Sequence, residues 1–289
     1  VSNQFDIGSN LFIGFSPERE NPGDKNFSYK ITPKVISGYS KNCLSIIDAV
    51  YSHIVKKRVK AKSIEIAETS KLLENLYRSV NIGLVNELKI ICDKLNLDTF
   101  EVINTAATKN FGFQKFMPGP GLGGHCIPID PFYLSWISKK NGYNPKFIEA
   151  SAIINSSIPY WTISKMLKKI EINNKTKILI LGISYKKNID DDRESPAFEI
   201  MKILNNKKIK FDYNDPYFKK IRVGRKINFN KKSIKINKKN LKLYSAVLIV
   251  TDHQHYNYNF ISKNSKIVFD TRSVYKKPQF KNCKNIVFV

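Results

Sequence analysis

Between residues 63 and 95, apolar side chains at Leu73, Leu76, Tyr77, Val80, Leu84, Leu88, Ile91 and Leu95 recur at helical spacing with no proline to interrupt them. At 3.6 residues per turn this is about nine turns, longer than most helices of globular proteins. A helix of that length is either the spine of a domain or a surface on which two chains meet. More helical pattern follows at 98–107, 130–140 and 145–170, around one Gly/Pro-rich stretch at 111–128. The middle of the chain is therefore expected to be all-helical around a single irregular loop.

The two ends read differently. Residues 11–15, Leu-Phe-Ile-Gly-Phe, have the pattern of a buried strand, 34–37 form a second apolar run, and 41–56 a helix. Together they are the closing half of an α/β unit whose opening half is not among these residues, so the sequence reads as a piece of a longer one. After the polar turn at 173–176 the pattern changes to Lys177-Ile178-Leu179-Ile180-Leu181-Gly182, a buried parallel strand. A helix at 196–204 and strands at 209–213, 246–250, 266–269 and 286–289 complete a second α/β domain. The segmentation expected is 1–58, 59–172 and 173–289.

Forty-nine Lys and Arg against 24 Asp and Glu give a net charge of +25. That surplus invites an anionic partner, but 15 of the cations and only two acids fall within residues 201–245. Seven of the 49 are Arg, and the chain is also rich in Asn and Ile, so compositional drift toward Lys explains most of the excess. No basic strand interleaved with aromatics points to nucleic acid. No run approaches the roughly 20 apolar residues of a membrane span. Neither nucleic acid nor membrane is expected as a partner, and the expected location is the cytoplasm. Cys43, Cys92, Cys126 and Cys283 have no C-x-x-C spacing and the four His form no zinc pattern, so no metal is expected.

Chemistry concentrates in four places. Pro118-Gly119-Pro120-Gly121-Leu122-Gly123-Gly124-His125-Cys126-Ile127-Pro128-Ile129-Asp130-Pro131 follows a helical stretch rather than a strand. Read from Gly121, a dinucleotide fingerprint fails there because its third glycine falls on Cys126. The glycines instead let the backbone pass close to something bulky. Asp130 as N-cap with Pro131 at the first helical position would start a helix, leaving Cys126 just before a helix N-terminus, where a thiolate is favoured. On the long helix, Lys71, Asn75 and Arg78 make one polar stripe opposite the apolar one, suited either to solvent or to an oxyanion. Ser16-Pro17-Glu18-Arg19-Glu20-Asn21-Pro22-Gly23 sets a carboxylate just after an apolar strand. The segment 182–196 carries Lys186 and Arg193 on a strand-to-helix crossover, where cations hold phosphate, and Arg272 ends another strand. His253 shows no partner in the sequence and reads as structural.

Taken together, Ser-Pro-Glu-Arg-x-x-Pro-Gly, Lys71-x-x-x-Asn75-x-x-Arg78, Gly-Gly-His-Cys-Ile-Pro-Ile-Asp-Pro and Tyr-Lys-Lys-Asn-x-Asp-Asp-x-Arg-Glu-Ser-Pro resemble the UDP-glucose/GDP-mannose dehydrogenase family, in that family's order and along essentially the whole chain. The wording is most similar to members acting on 2-acetamido sugars, such as UDP-N-acetylglucosamine 6-dehydrogenases. The resemblance implies an α/β fold: the end of an N-terminal Rossmann-like NAD-binding domain, a central helical domain with a long spine helix, and a C-terminal Rossmann-like UDP-sugar-binding domain. It implies oxidation of a sugar C6 hydroxyl to a carboxylate with two NAD per turnover, and a homodimer built on the long helix. By the same resemblance Cys126 is the nucleophile, Lys71 and Asn75 stabilise oxyanions, and Asp130 and Glu18 handle protons and water. Phe116, Leu122, Gly123, Lys186 and Arg272 hold the nucleotide sugar, and Arg193 faces NAD. Family members open with a strand, a G-x-G-x-x-G turn and a helix, absent from residues 1–58; the expectation is an N-terminally truncated chain that binds NAD poorly and is inactive by itself. Competing readings are a UDP-glucose or UDP-N-acetylmannosamine dehydrogenase, a two-electron β-hydroxyacid dehydrogenase relative, which needs no thiol, and a non-catalytic relative.

Overall fold

A computed structural model describes residues 4–19, 31–221 and 229–289. Residues 20–23 of the Ser16–Gly23 motif, and Arg222 and Arg225 of the lysine-rich insert, lie outside the described residues. The chain divides into two compact units, one of residues 1–77 and 130–142, the other of residues 78–129 and 143–289.

The first unit holds a small sheet of β1 (Gly14–Phe15), β2 (Lys34–Gly38) and, after helix α1 (Lys41–Ser52), β3 (Arg58–Lys60). Strand β2 is central, antiparallel to β1 and parallel to β3. Ser40 caps α1 by accepting the Cys43 N–H at 3.2 Å, and Asp48 joins α1 to β3 through Arg58 at 2.5 Å and Lys60 at 2.7 Å. These two cations hold the Asp48 carboxyl below its ordinary value. The buried strand expected at 11–15 is shorter and more open: only its last two residues join the sheet, and Phe12 and Ile13 remain 39% and 38% exposed. An edge strand has a neighbour on one side only, so apolar composition alone does not bury it.

The long helix, α2, spans Ile64–Lys94. It is followed by α3 (Thr99–Ala106) in the second unit and α4 (Asp130–Lys140) in the first. Its inward side is mixed: Ala67, Val85 and Cys92 are buried, but so are polar residues. Leu73, Tyr77, Leu84, Ile91 and Leu95 are exposed, whereas Asn75, Ser79, Asn86 and Lys89 are buried. Of the stripe read as suited either to solvent or to an oxyanion, Asn75 is buried, Lys71 half-buried and Arg78 exposed, and the buried amides of Asn75 and Asn86 have partners in the protein.

The second unit is built on helix α5 (Lys146–Leu167) and a parallel sheet: β4 (Lys177–Leu181), α6 (Pro196–Asn206), β5 (Lys210–Asn214), α7 (Lys238–Leu241), β6 (Ala246–Ile249), α8 (Tyr258–Asn264), β7 (Val268–Asp270) and β8 (Ile286–Phe288). The strand order is β5-β4-β6-β7-β8, all parallel. Alternation along the strands splits the core in two. Ile178, Ile180, Phe211, Tyr213 and Leu248 pack with α6 and the end of α5, whereas Leu179, Leu181, Val247, Ile249 and Val268 pack with Leu241, Ile261 and Tyr275. Each fully buried Ile or Leu contributes roughly 1.5–3 kcal/mol. Ser195 caps α6 with Pro196 at its start.

Strand order reverses between β4 and β6, so the loops after β4, β5, β6 and β7 converge at the carboxyl edge of this sheet, where doubly wound folds take ligands. At the opposite edge a groove of about 480 Å³ is lined by Lys177, Lys208, Lys210 and Lys231 with Asp212. Asp212 meets Lys177 at 2.6 Å and Lys231 at 3.6 Å. Part of the lysine surplus of residues 201–245 thus lies away from the strands' carboxyl ends.

Candidate functional site

In the first unit the Lys71/Asn75 stripe meets the start of α4. The Asn75 amide donates to Asp130 Oδ2 at 2.5 Å, and Asn75 is completely buried. Lys71, one turn earlier, is half-buried. Helix α4 begins at Asp130 itself rather than at Pro131, so Asp130 lies inside the helix and its carboxylate turns to Asn75. Glu18 is two-thirds exposed; it accepts from the Arg19 N–H at 2.8 Å and pairs with Lys34 at 3.0 Å. Arg19 reaches Glu74 on α2 at 2.8 Å, which anchors the Ser-Pro-Glu-Arg segment to the helix that carries Asn75.

Cys126 lies in the second unit, exposed, on a turn closed by the Ile129 N–H to its carbonyl at 3.1 Å. The glycines before it admit identifiable bulk. A Cβ on Gly119 would stand 2.8 Å from Arg272 Nη1, one on Gly123 2.7 Å from Tyr185 Cβ, and one on Gly124 3.0 Å from the Tyr185 ring. Gly124 also takes a φ of +88°, and its N–H donates to the Arg193 carbonyl at 2.9 Å. Read from Gly119, the letters G-x-G-x-x-G do occur, at Gly119, Gly121 and Gly124. No strand precedes them, and the chain turns through 125–129 before α4. Their amides therefore do not form the strand–turn–helix cradle for a pyrophosphate.

A chain of buried amides fastens this loop to the helices. Asn86 Oδ1 accepts the Gly119 N–H, Asn86 Nδ2 donates to Asn155 Oδ1 on α5, and Asn155 Nδ2 donates to the Ser79 carbonyl, each at 3.0 Å. Sequence reading passed over Asn86 and Ser79, although they continue the polar stripe of Asn75 by one to three further turns. It also passed over Tyr185, whose partner is the glycine pair itself. Burial and the nearby Asp191 raise the Tyr185 hydroxyl above its ordinary value.

Arg272 is fixed over the end of β6 by its Nε donating to the Val250 carbonyl at 2.7 Å, and its own N–H donates to Asp270 at 2.8 Å. Burial pulls the guanidinium below its ordinary value, the cost of a cation taken out of water. Arg193 is an exposed residue paired bidentately with Asp191 at 2.7–3.1 Å, and that pairing raises its value. Lys186, Phe116, Leu122 and Gly123 are half-buried. His253, expected to lack a partner, has one: it is fully buried and bonded to Asp215 at 3.1 Å. Among the described residues no three His, Cys, Asp or Glu are placed to hold a metal, and no helix is long and apolar enough to cross a membrane.

A parallel, doubly wound sheet with cationic and tyrosyl loops at its carboxyl edge, preceded in sequence by helices and a glycine-rich loop bearing a thiol, defines an α/β protein of two units. The chain belongs to the UDP-glucose/GDP-mannose dehydrogenase family: residues 65–157 match its central domain and residues 179–277 its UDP binding domain. It is 36% identical to Protein CapL of Staphylococcus aureus over 92% of this chain and 64% of the relative. It is 35% identical to the UDP-N-acetyl-D-glucosamine 6-dehydrogenase of Salmonella typhi over 86% of this chain and 59% of the relative. Among solved structures, the UDP-N-acetyl-mannosamine dehydrogenase Cap5O from S. aureus superposes with a TM-score of 0.76 at 31% identity, covering 98% of this chain and 65% of that one. The chain thus spans about three-fifths of the length of the relatives it matches.

Proposed function

We propose that the chain carries the thiol and the UDP-sugar-binding residues of an NAD-dependent nucleotide-sugar 6-dehydrogenase acting on a UDP-2-acetamido sugar in the cytoplasm. The observation that carries the reading is the 2.5 Å hydrogen bond between Asn75 and Asp130, which joins two residues of separate family motifs 55 positions apart. The segments assigned are 1–58 as the end of an NAD-binding domain, 59–172 for dimerisation and catalysis, and 173–289 for the UDP-sugar.

C6 of the sugar loses two hydrides in all, and NAD, when bound, supplies the acceptor for each, two per turnover. The steps that follow are those of the chain's own side chains. After the first oxidation, the Cys126 thiolate adds to the C6 aldehyde, forming a C–S bond and leaving an oxyanion. Lys71 and Asn75 donate to that oxyanion. The second oxidation converts the thiohemiacetal to a thioester. Water, deprotonated by Asp130 or Glu18, adds to the acyl carbon, and the C–S bond breaks to release the carboxylate and regenerate the thiol. Lys186 and Arg272 bind the phosphates and sugar, the backbone around Phe116, Leu122 and Gly123 borders the sugar, and Arg193 faces the cofactor.

Two titrations of the 289-residue polypeptide, with UDP and with NAD, test the binding assignments. UDP binding with weak or absent NAD binding is expected; micromolar NAD binding contradicts the cofactor assignment. Incubation with the C6 aldehyde of UDP-N-acetylglucosamine is expected to label Cys126 reversibly, and a Cys126→Ser polypeptide labelled to the same extent removes the nucleophile. Comparing UDP-N-acetylglucosamine with UDP-glucose and UDP-N-acetylmannosamine, in this polypeptide joined to the NAD-binding domain of a relative, distinguishes the sugars.

A further inference from the structure

The first half of the loop after β4, residues 183–188, which carries Tyr185 and Lys186, is held at both ends by one buried pair. At its start, Asp215 Oδ2 accepts the N–H groups of Ile183 at 2.7 Å and Ser184 at 3.1 Å, and the Ser184 hydroxyl at 3.3 Å. The same oxygen lies 3.1 Å from His253 Nε2. At its far end, the Asn188 N–H donates to His253 Nδ1 at 3.0 Å, and Asn188 Oδ1 accepts the Gln254 N–H at 2.9 Å. A backbone N–H only donates, so Nδ1 is the bare nitrogen and the proton sits on Nε2, facing Asp215. Asn188 is itself in the left-handed region, with φ +62°. An asparagine there needs neighbours to hold it. Three strand ends, those of β4, β5 and β6, meet in this clasp, and the imidazole is the piece that spans them.

We propose that His253 is a positioning residue: through Asn188 it holds the Tyr185–Lys186 loop in the shape that receives a uridine diphosphate. The proposal rests on the nucleotide-sugar reading for its ligand, while the clasp itself has a readout of its own. The imidazole has two arms that amide side chains can keep one at a time. In His253→Gln the side-chain NH₂ reaches the Nε2 position and still donates to Asp215, but the acceptor for Asn188 is gone. In His253→Asn the side-chain oxygen replaces Nδ1 and still accepts from Asn188, while the bond to Asp215 is lost. A residue that only filled space in the core would make both variants lose affinity in step with stability.

The experiment is hydrogen exchange at amides 184–188 and calorimetric titration with UDP, on the full 289-residue chain and both variants. For His253→Gln, exchange at 185–188 is expected to speed up and UDP binding to weaken about tenfold, the scale of one lost hydrogen bond, with the unfolding midpoint close to wild type. For His253→Asn, a lower unfolding midpoint with UDP affinity near wild type is expected. Unchanged exchange at 185–188 in His253→Gln overturns the proposal, as does a loss of affinity that tracks stability in both variants. A wild-type chain that binds no UDP defeats the nucleotide-sugar reading and the ligand named here, and the exchange result then decides the clasp alone.

Discussion

Gly124 lies against the face of Tyr185 so closely that a methyl group at its Cα would stand 3.0 to 3.2 Å from three ring atoms. Because Gly124 also has a φ of +88°, Gly124→Ala meets two penalties, a left-handed backbone costing about 1–2 kcal/mol and a ring that must move. Gly112→Ala separates them, since φ there is +66° and nothing lies nearer than 3.9 Å. Urea denaturation is expected to show a loss of about 1 kcal/mol for Gly112→Ala and a larger one for Gly124→Ala, with UDP binding weakened only in the latter. Equal losses would mean that the contact with Tyr185 carries no energy.

Asn75 is buried with its amide on Asp130 at 2.5 Å. Asn75→Ala removes that donor from the carboxylate, at a cost of about 1–3 kcal/mol. Asn75→Asp replaces it with a second carboxylate. Two adjacent carboxylates resist being ionised together, so this variant is expected to be the less stable of the two at pH 7 and to recover as the pH is lowered to 5. Thermal unfolding across that range checks the order; an Asn75→Asp protein that gains nothing on acidification rules out a direct meeting of the two groups.

How much of this was legible in the sequence depended on the kind of signal. Strand β4 was readable because Ile178, Leu179, Ile180 and Leu181 form a run with no polar face, which only a strand covered on both sides sustains. Helix α2 was readable for its period but not for its orientation. Hydrophobic spacing identifies the apolar face, and in α2 much of that face is exposed while Asn75, Ser79 and Asn86 are inside. Local patterning carries no record of partners as distant in sequence as Asn155 or Asp130. Tyr185 was missed for the same reason, since its importance lies in the absence of side chains at Gly123 and Gly124. The run at 11–15 failed as a buried strand because a sequence does not say which strands are edges.

Lys89 provides a pH-dependent measure of the buried polar stripe. Its ammonium has no hydrogen-bond partner among the described residues, stands 5.2 Å from the centre of the Trp161 ring, and is pulled down to about 7 by burial, with Lys165 and Arg272 adding to the effect. The folded value lies below the unfolded one, so between about pH 7 and 10 the unfolded chain binds the extra proton and stability rises with pH. Below about 7 the full cost of burying the charge remains. Lys89→Met is expected to be more stable than wild type at pH 7 by about 1–4 kcal/mol. The gap is expected to close by pH 10. Urea midpoints at both pH values test this, and parallel pH profiles for the two proteins would refute it.

The exposed stripe of α2 bears on assembly. Leu73, Tyr77, Leu84, Ile91 and Leu95 are each 47–61% exposed. From Leu73 to Ile91 they recur along about 27 Å of helix at 1.5 Å per residue, with Leu95 in the turn that follows, and an apolar stripe of that length is a surface that seeks a partner. The occupant proposed is a second copy of the chain. Sedimentation is expected to give a dimer for wild type and a monomer for Leu84→Glu, because a carboxylate buried without a partner at the centre of the contact costs several kcal/mol. Leu84 is exposed in the single chain, so the monomeric variant is expected to keep its helical circular dichroism. A wild-type monomer at tens of micromolar, or a Leu84→Glu protein that remains dimeric, would exclude this face of α2 as the dimer contact.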